Sequence, residues 1–534
     1  MARKLPSFLL VPSVIALSAL LSGMFGPGVK GVAAAGNDDV NAATRAVSKV
    51  FALVEENFSD KVDPDRAIYQ GAIPGMLRTL DPHSNFYDPR AFKAMREDQR
   101  GRYYGVGMQV GPRLNRTMVI APFPGSPAYR AGLLPGDMIL MVDDKSTEGL
   151  TVTQVADLLK GDTRGVKVRV EVSRAGVQTP IVFEILRDEI PRESVKQAFW
   201  VKPGIAHLNI TQFNENTSHE MDDNLKRLGE ANIKGLVLDL RDNPGGLLNE
   251  GVAVAERFLQ KGQAIVSHRG RSSPERSYSA KTSSGSKDFP IVVLINGSSA
   301  SAAEIVSGAL QDHDRAWILG ENSFGKGLVQ TVVPLAEKTA LALTTARYYT
   351  PSGRLIQRDY SNTSFFDYYY RKGESKNLQD VKMTDGGRTV YGGGGITPDE
   401  KFDIPKGTRL QTRIIRAYGV INFVANYFAT RDRKSIKPDW TPDQGVLTEF
   451  RQFLTRENVP FTEVEFNENL DWIKRQLKSE VFISAMNIED SRKIILTTDP
   501  LVLKAIDSMP KAKELLDAAK KMIVQRMNGN AQNQ

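Results

Sequence analysis

Residues Ile291 to Ala309, IVVLINGSSASAAEIVSGA, constrain this chain more than any other stretch. An apolar, β-branched run breaks at Asn296-Gly297, and Ile305, Val306, Ala309 and Leu310 then recur at helical spacing, so a buried strand must turn directly into a helix. Serines occupy that turn. The first amides of a helix lack intrahelical partners and its dipole favours negative charge, which suits a serine there to nucleophilic attack. Ser301-Ala-Ala-Glu304 equally fits the S-x-x-E capping box, in which the serine only caps the helix. Both readings stand on this segment alone.

A second segment, GENSFGKGLVQTVVPL from Gly320 to Leu335, sets Lys326 between two glycines ahead of a period-2 strand pattern. It narrowly misses a phosphate-binding loop. Position 327 is Gly where Ser or Thr would hold Mg²⁺, and the following residues are strand-forming, whereas a phosphate loop opens a helix. Residues i, i+2 and i+4 of a strand share a face, so Lys326, Leu328 and Gln330 are expected to point the same way, with Gln330 orienting the lysine amine. To accept a serine proton that amine must be neutral. Burial has to bring its pKa down from about 10.4 by roughly 2–3, at a cost of about 3–4 kcal/mol. Upstream, the buried-strand pattern GLVLDL (Gly235 to Leu240) runs into Arg241-Asp242-Asn243-Pro244-Gly245-Gly246. A Gly-Gly turn can present bare amides to an oxyanion, and such donors contribute about 2.7–4 kcal/mol to a transition state. An ordinary left-handed turn or helix entry is the other reading.

The set LRDNPGG, SASAAE and GENSFGKGLVQ, in this order, resembles the C-terminal processing (tail-specific) proteases of peptidase family S41. The resemblance implies that Ser301 is the nucleophile, Lys326 the general base and Gln330 the residue positioning it, with the amides of Gly246 and Ala302 as the oxyanion hole. Glu304 matches the same motif and is read as structural. The implied fold is multidomain α+β, with a crotonase-like (ClpP/crotonase-type) α/β serine protease core and an inserted PDZ β-sandwich or barrel.

The stretch Arg102 to Glu189 carries that insert. It opens Tyr104-Gly105-Val106-Gly107-Met108 and contains Ala131-Gly132-Leu133-Leu134-Pro135-Gly136-Asp137, and it resembles a PDZ domain. Gly105, Val106 and Gly107, with Met108 opening the next strand, can curl their amides into a nest for a peptide's terminal carboxylate, while the strand edge accepts an added strand. The helix Thr151 to Leu159, with Val152, Val155, Leu158 and Leu159, would wall the groove or pack into its own core.

A Ser-His-Asp triad is the conventional competitor. Of the five histidines, His313 falls at the far end of the helix that Ser301 starts, more than a dozen ångströms away at about 1.5 Å per residue. His83, in Asp81-Pro82-His83-Ser84, reads as part of a turn. Without Cys or an H-E-x-x-H motif no metal site is expected, and no cofactor.

Arg3-Lys4, apolar Phe8 to Leu21 and Val32-Ala33-Ala34-Ala35 have the order of a secretion signal, with an uncleaved anchor as the other reading. Export to a bacterial periplasm or another extracytoplasmic face follows as the expectation. The formal net charge of +8 includes Arg3, Lys4 and Lys30 of that leader, and no Lys/Arg tract points to nucleic acid. A chain of 534 residues can bury several cores. The expected organisation is a signal peptide over 1–35, a helical segment over 36–100, the PDZ domain over 101–190, the protease core over 191–403 and a helical C-terminal region over 404–534. Within the core, Asp359 to Gly395 looks inserted, with Phe365-Phe366-Asp367-Tyr368-Tyr369-Tyr370 near its start. Expected partners are proteins or peptides with accessible C-termini, an adaptor or activator protein, and a second copy meeting the C-terminal helices. Two function classes follow: an exported endopeptidase, or a non-catalytic PDZ scaffold on a protease-like fold.

Overall fold

Two compact units divide the chain, Met1–Gly75 and Met76–Gln534. The computed structural model describes residues 37–532 apart from 114, 283–286, 362, 371–376 and 404. The signal peptide expected over 1–35 therefore lies outside the described residues. In the first unit a helix, Asn37–Asn57, carries Val47, Phe51 and Val54 at helical spacing, and a π-helical stretch, Arg66–Ala72, follows. The division falls inside the stretch 36–100 that the sequence reads as one helical segment.

The second unit centres on a six-stranded sheet ordered Val195–Lys202, Ile205–Ile210, Gly235–Asp239, Ile291–Ile295, Trp317–Gly320, Glu400–Lys401. Its first pairing is antiparallel and the rest are parallel. Every residue of Gly235–Asp239 and Ile291–Ile295 is buried, as parallel strands covered on both faces require. Alternation of their side chains decides what covers each face. Leu236, Leu238, Ile291, Val293 and Ile295 meet Met221, Val254 and Val306 from the helices Thr217–Arg227, Leu248–Glu256 and Ala302–Asp312. Val237, Val292 and Leu294 face the other way, where Leu501, Val502, Ala505, Met509 and Ala512 of the last two helices close the sheet. The C-terminal region is thus divided: its end roofs the sheet, while Phe423, Phe450, Phe466 and Leu477 build a core of their own.

The architecture corrects the expected fold class on two points. The core is not a crotonase-type unit: beside the mixed sheet stands a separate, wholly antiparallel five-stranded sheet made by Asn85–Tyr87, Ala340–Tyr349, Ala264–Gly270, Ser273–Ser279 and Leu328–Pro334. The PDZ region is not a closed barrel or sandwich. Its strands run Met108–Arg113, Arg116–Pro122, Met138–Val142, Lys167–Ser173, Ile181–Leu186, with Lys145–Ser146 beside the third, and the sheet ends in two open edges. Closure is unnecessary because the helix Val152–Leu159 fills the inner face with Val155 and Leu159, where a barrel would need a facing strand. The class is α+β, with the PDZ domain inserted between the helix Pro89–Arg100 and the mixed sheet.

Gly235–Asp239 and Ile291–Ile295 end side by side, Asp239 opposite Leu294. Ligands of open parallel sheets bind beyond the carboxyl ends of the strands. Those ends deliver the turns Arg241 to Gly246 and Asn296 to Ser301.

Candidate active site

Ser301 stands at the N-cap of the helix Ala302–Asp312 with φ 54° and ψ −113°. A non-glycine residue adopts such a conformation only where its surroundings over-determine it, at a cost of about 1–3 kcal/mol. Here the surroundings are two turns bonded to each other. Ser299 Oγ donates to the Leu240 carbonyl (2.8 Å) and the Ala300 amide to the Asn243 carbonyl (2.9 Å). Asn243 Nδ2 donates to the Ile210 carbonyl (2.8 Å), and its Oδ1 accepts from the Gly245 amide (2.8 Å). Half of the capping box is made: the Ser301 amide donates to Glu304 Oε2 at 2.7 Å, while the Ser301 side chain makes no capping hydrogen bond. Capping and nucleophilic attack are compatible here, because the carboxylate supplies the bond to the Ser301 backbone.

Gly245 and Gly246 lie against this turn with φ 95° and 143°. A Cβ on Gly245 would stand 2.7 Å from Ser301 Cβ and 3.0 Å from the Ala302 nitrogen, and one on Gly246 would overlap the Phe213 carbonyl. Only glycine fits. Phe213 donates to the Gly245 carbonyl (2.9 Å) and accepts from Leu247 (2.8 Å), a parallel bridge that uses the neighbours of Gly246 and leaves its own amide facing away from Phe213. Ala302 is the first residue of its helix, where amides have no intrahelical acceptor.

Lys326 Nζ donates to Gln330 Oε1 at 2.9 Å, and Gln330 Nε2 donates to the His83 carbonyl. Burial pulls the lysine below its usual pKa, opposed by the negative charges of Glu304 and Asp81. The shared strand face read from the sequence is corrected in detail. The strand begins at Leu328, after the lysine, and a bulge between Val329 and Gln330 breaks the alternation; the glutamine reaches the amine across that irregularity. Flanking glycine matters at Gly327, where a Cβ would lie 2.7 Å from the Gln357 nitrogen.

Sequence reasoning left Glu304 as structural and missed its reach. This fully buried carboxylate accepts from Ser323 Oγ (2.5 Å) and the Gly325 amide (2.7 Å) on Oε1, and from the amides of Ser301 (2.7 Å) and Lys326 (2.9 Å) on Oε2. Burial pushes its carboxyl up, while these four hydrogen bonds favour the ionised form. The S-x-x-E spacing was the available signal, but it reports only the bond to Ser301. Asp239 and Arg241 were also missed: Arg241 pairs with Asp239 (2.7 Å) and with Asp499 (2.9 Å), fixing the strand end beneath the Gly-Gly turn.

Four of the five histidines have work elsewhere. His313 binds Asp385 and the Ala264 carbonyl, His207 binds Asp239, His219 pairs with Asp223 and His268 stacks on Tyr278. His83 is pushed down to about 4 by burial and by the nearby Lys326 charge, so it is neutral at pH 7.

In the PDZ region Val106 and Met108 are buried in the domain core, and the Gly107 carbonyl is held by Ser126 Oγ (2.6 Å) and the Phe123 amide (2.9 Å). Gly105, Val106, Gly107 and Met108 line a cavity of about 50 Å³ with Ala156 and Leu159. The groove wall is therefore carried by Ala156 and Leu159, since Val155 is wholly in the core. Tyr103 belongs also to a larger cavity of about 710 Å³ that reaches Lys338 on the antiparallel-sheet side.

The ends of the open mixed sheet thus bring a strained serine and a Gly-Gly turn side by side, with the loop of the buried Lys326 tied to the serine turn through Glu304, and the same chain carries an antiparallel domain with an open edge strand. The chain belongs to peptidase family S41: the family matches residues 204–361, and a PDZ domain matches residues 118–174. It is 43% identical over 301 residues to the carboxy-terminal-processing protease of Bartonella bacilliformis, covering 55% of this chain and 68% of that one. It is 36% identical to the carboxyl-terminal-processing protease of a Synechocystis species (57% and 72%) and 35% identical to the carboxy-terminal processing protease CtpA of Bacillus subtilis (58% and 66%). The chain thus spans about two thirds of the length of these relatives. Among solved structures it is similar to a photosystem II D1 C-terminal processing protease, 30% identical, covering 68% of this chain and 92% of that one with a TM-score of 0.35.

Proposed function

We propose that this chain is a serine endopeptidase that takes hold of the free C-termini of its substrates through the PDZ groove and cleaves them with a Ser301–Lys326 dyad. The observation that carries the reading is the convergence of the nucleophile turn and the base loop on Glu304, with Gln330 bonded to the lysine amine.

The neutral Lys326 amine gives one hydrogen to Gln330 Oε1, which leaves its lone pair for the Ser301 hydroxyl. Ser301 Oγ attacks the scissile carbonyl carbon as its proton passes to Nζ. The amides of Gly246 and Ala302 take the negative charge that develops on the carbonyl oxygen. The ammonium then protonates the departing amine, the C–N bond breaks, and an acyl-serine remains. Water attacks this ester with Lys326 again as base, releasing the acid and restoring the hydroxyl. No metal or cofactor enters these steps.

In the PDZ groove the amides of Gly105, Val106, Gly107 and Met108 receive the terminal carboxylate, and the edge strand Met108–Arg113 pairs with the substrate's last residues. The leader motivates export to the periplasm or another extracytoplasmic face, with the mature N-terminus near Gly36. An adaptor or activator protein and self-association through the C-terminal helices belong to the same proposal.

Incubating the mature chain with a denatured protein, beside Ser301→Ala, tests the reading. Fragments are expected from the first alone. Fragments from both would remove Ser301 from the chemistry. Fragments from neither, with peptide binding intact, would make the chain a non-catalytic PDZ scaffold.

A further inference from the structure

The aromatic segment that the sequence shows as an insertion reaches the base. Its short helix, Phe365–Tyr370, buries Tyr368 to 2% exposure against Phe324 (ring centroids 5.6 Å) and His83 (5.4 Å), under the Arg358 guanidinium at 4.5 Å. The Tyr368 hydroxyl accepts from Gln357 Nε2 at 3.0 Å and lies 2.8 Å from His83 Nε2.

Donor counting settles the direction of each bond. Tyr369 donates its hydroxyl hydrogen to the Pro82 carbonyl (2.9 Å), so its oxygen accepts from His83 Nδ1 (3.3 Å). A neutral His83 protonated on Nδ1 has a bare Nε2, and the Tyr368 hydroxyl donates to it.

From this hydroxyl two arms lead to Lys326. On one side Gln357 Oε1 holds the amide of Gly327, the residue next to the lysine, at 2.9 Å. On the other, the His83 carbonyl accepts from Gln330 Nε2, which turns Gln330 Oε1 toward Lys326 Nζ. Rotating that glutamine amide by half a turn would present hydrogens to the amine and destroy its alignment. Tyr368 thus joins the device that holds the lysine backbone to the device that holds its nitrogen.

We propose that Tyr368 is a positioning residue for peptide-bond cleavage, its hydroxyl tying the His83–Gln330 arm and the Gln357–Gly327 arm into one frame around Lys326. The inference rests on reading Lys326 as the base. The titratable and charged groups facing that amine or its frame are Glu304, Asp81, His83, Tyr369 and Arg358; removing the Tyr368 oxygen leaves all of them in place and, among them, takes a hydrogen bond from His83 alone.

The test is Tyr368→Phe in the full chain, with kcat and KM for a peptide measured from pH 6 to 10 beside the thermal melt. The ring stays, so the melt is expected to move little. The kcat is expected to fall about tenfold, the worth of one buried hydrogen bond at its upper end, with KM within about twofold. The rising limb of kcat is expected to move to higher pH, because a looser frame admits water to Nζ and relaxes the burial that holds the lysine neutral. Gln357→Met, which cuts the other arm at similar volume, is expected to give the same split, and Tyr370→Phe, on the exposed side of the same helix, wild-type kinetics. An unmoved limb and kcat in both Tyr368→Phe and Gln357→Met, or equal losses in Tyr370→Phe, would overturn the proposal. Activity retained in Lys326→Ala would instead overturn the base assignment on which it stands.

Discussion

The backbone amides of Ser301 and Lys326 bind one and the same oxygen, Glu304 Oε2, at 2.7 and 2.9 Å. A single carboxylate therefore sets the separation between the turn that carries the candidate nucleophile and the loop that carries the candidate base. Hydrogen bonds to a charged group are worth about 1.5–3 kcal/mol each, and leaving a buried donor unpaired costs about 1–3 kcal/mol. Glu304→Gln keeps the shape but replaces one acceptor oxygen with an NH₂ group that faces two donors. Its kcat is expected to fall roughly a hundredfold and its stability by about 2 kcal/mol or more. Kinetics and a urea titration check both, and wild-type values would show that the shared oxygen sets nothing.

Ser301→Ala is expected to abolish hydrolysis with a nearly unchanged melt, since the turn is held by Ser299, Asn243 and Glu304 and not by the lost hydroxyl. Lys326→Arg is expected to be inactive too, because a guanidinium with a pKa above about 12 cannot serve as base. Turnover in either variant counts against the dyad.

The lowered pKa of Lys326 has a sign in both activity and stability. Activity is expected to rise with pH through one ionisation below the usual 10.5, as the amine loses its proton. The unfolded chain binds a proton at this site that the folded chain has released between the folded pKa and 10.5, so stability rises with pH across that window. Below the folded pKa the burial penalty is fully present. Lys326→Met is thus expected to raise the melting temperature at pH 7 and to lose the gain as pH approaches 10.5; a gain independent of pH would contradict a buried, titrating lysine.

At the Gly-Gly turn, Gly246→Ala places a methyl group into the Phe213 carbonyl at a backbone angle that L residues rarely adopt. Activity is expected to fall at least a hundredfold, in kcat more than KM, because in the proposed mechanism the displaced amide stabilises charge present only in the transition state. Equal kcat would place the oxyanion donors elsewhere.

For substrate capture, a peptide with a free apolar C-terminus is expected to bind the full-length Ser301→Ala chain roughly ten- to a hundredfold more tightly than its C-terminal amide. Gly107→Ala should abolish the difference, since φ is 76° there and a Cβ would meet Ser126 Cβ at 2.5 Å. Calorimetric titration that finds acid and amide equal would remove the carboxylate nest from the proposal.

What the sequence by itself determined are the features whose partners lie a few residues apart. The strand-to-helix turn at Ser301, the Ser301–Glu304 spacing, the Gly-Gly turn and the continuously buried runs Gly235–Asp239 and Ile291–Ile295 are legible in the local sequence, whereas the Lys326–Gln330 bond is reached across a bulge and not along the strand alternation that suggested it. Tertiary structure decided the rest, for the opposite reason. Gln330 is held by His83, 247 residues away, and Arg241 by Asp499, 258 residues away, separations at which no spacing rule operates. Glu304 reads as a helix cap until folding brings Ser323, Gly325 and Lys326 to its other lone pairs. The open PDZ sheet and the separate antiparallel sheet were misjudged because an alternating pattern tells which face of a strand is buried and not which strand lies beside it. The roof of the mixed sheet follows the same logic: Leu501, Val502 and Ala512 have an ordinary helical pattern, and only the completed fold shows that Val237, Val292 and Leu294 are what they cover.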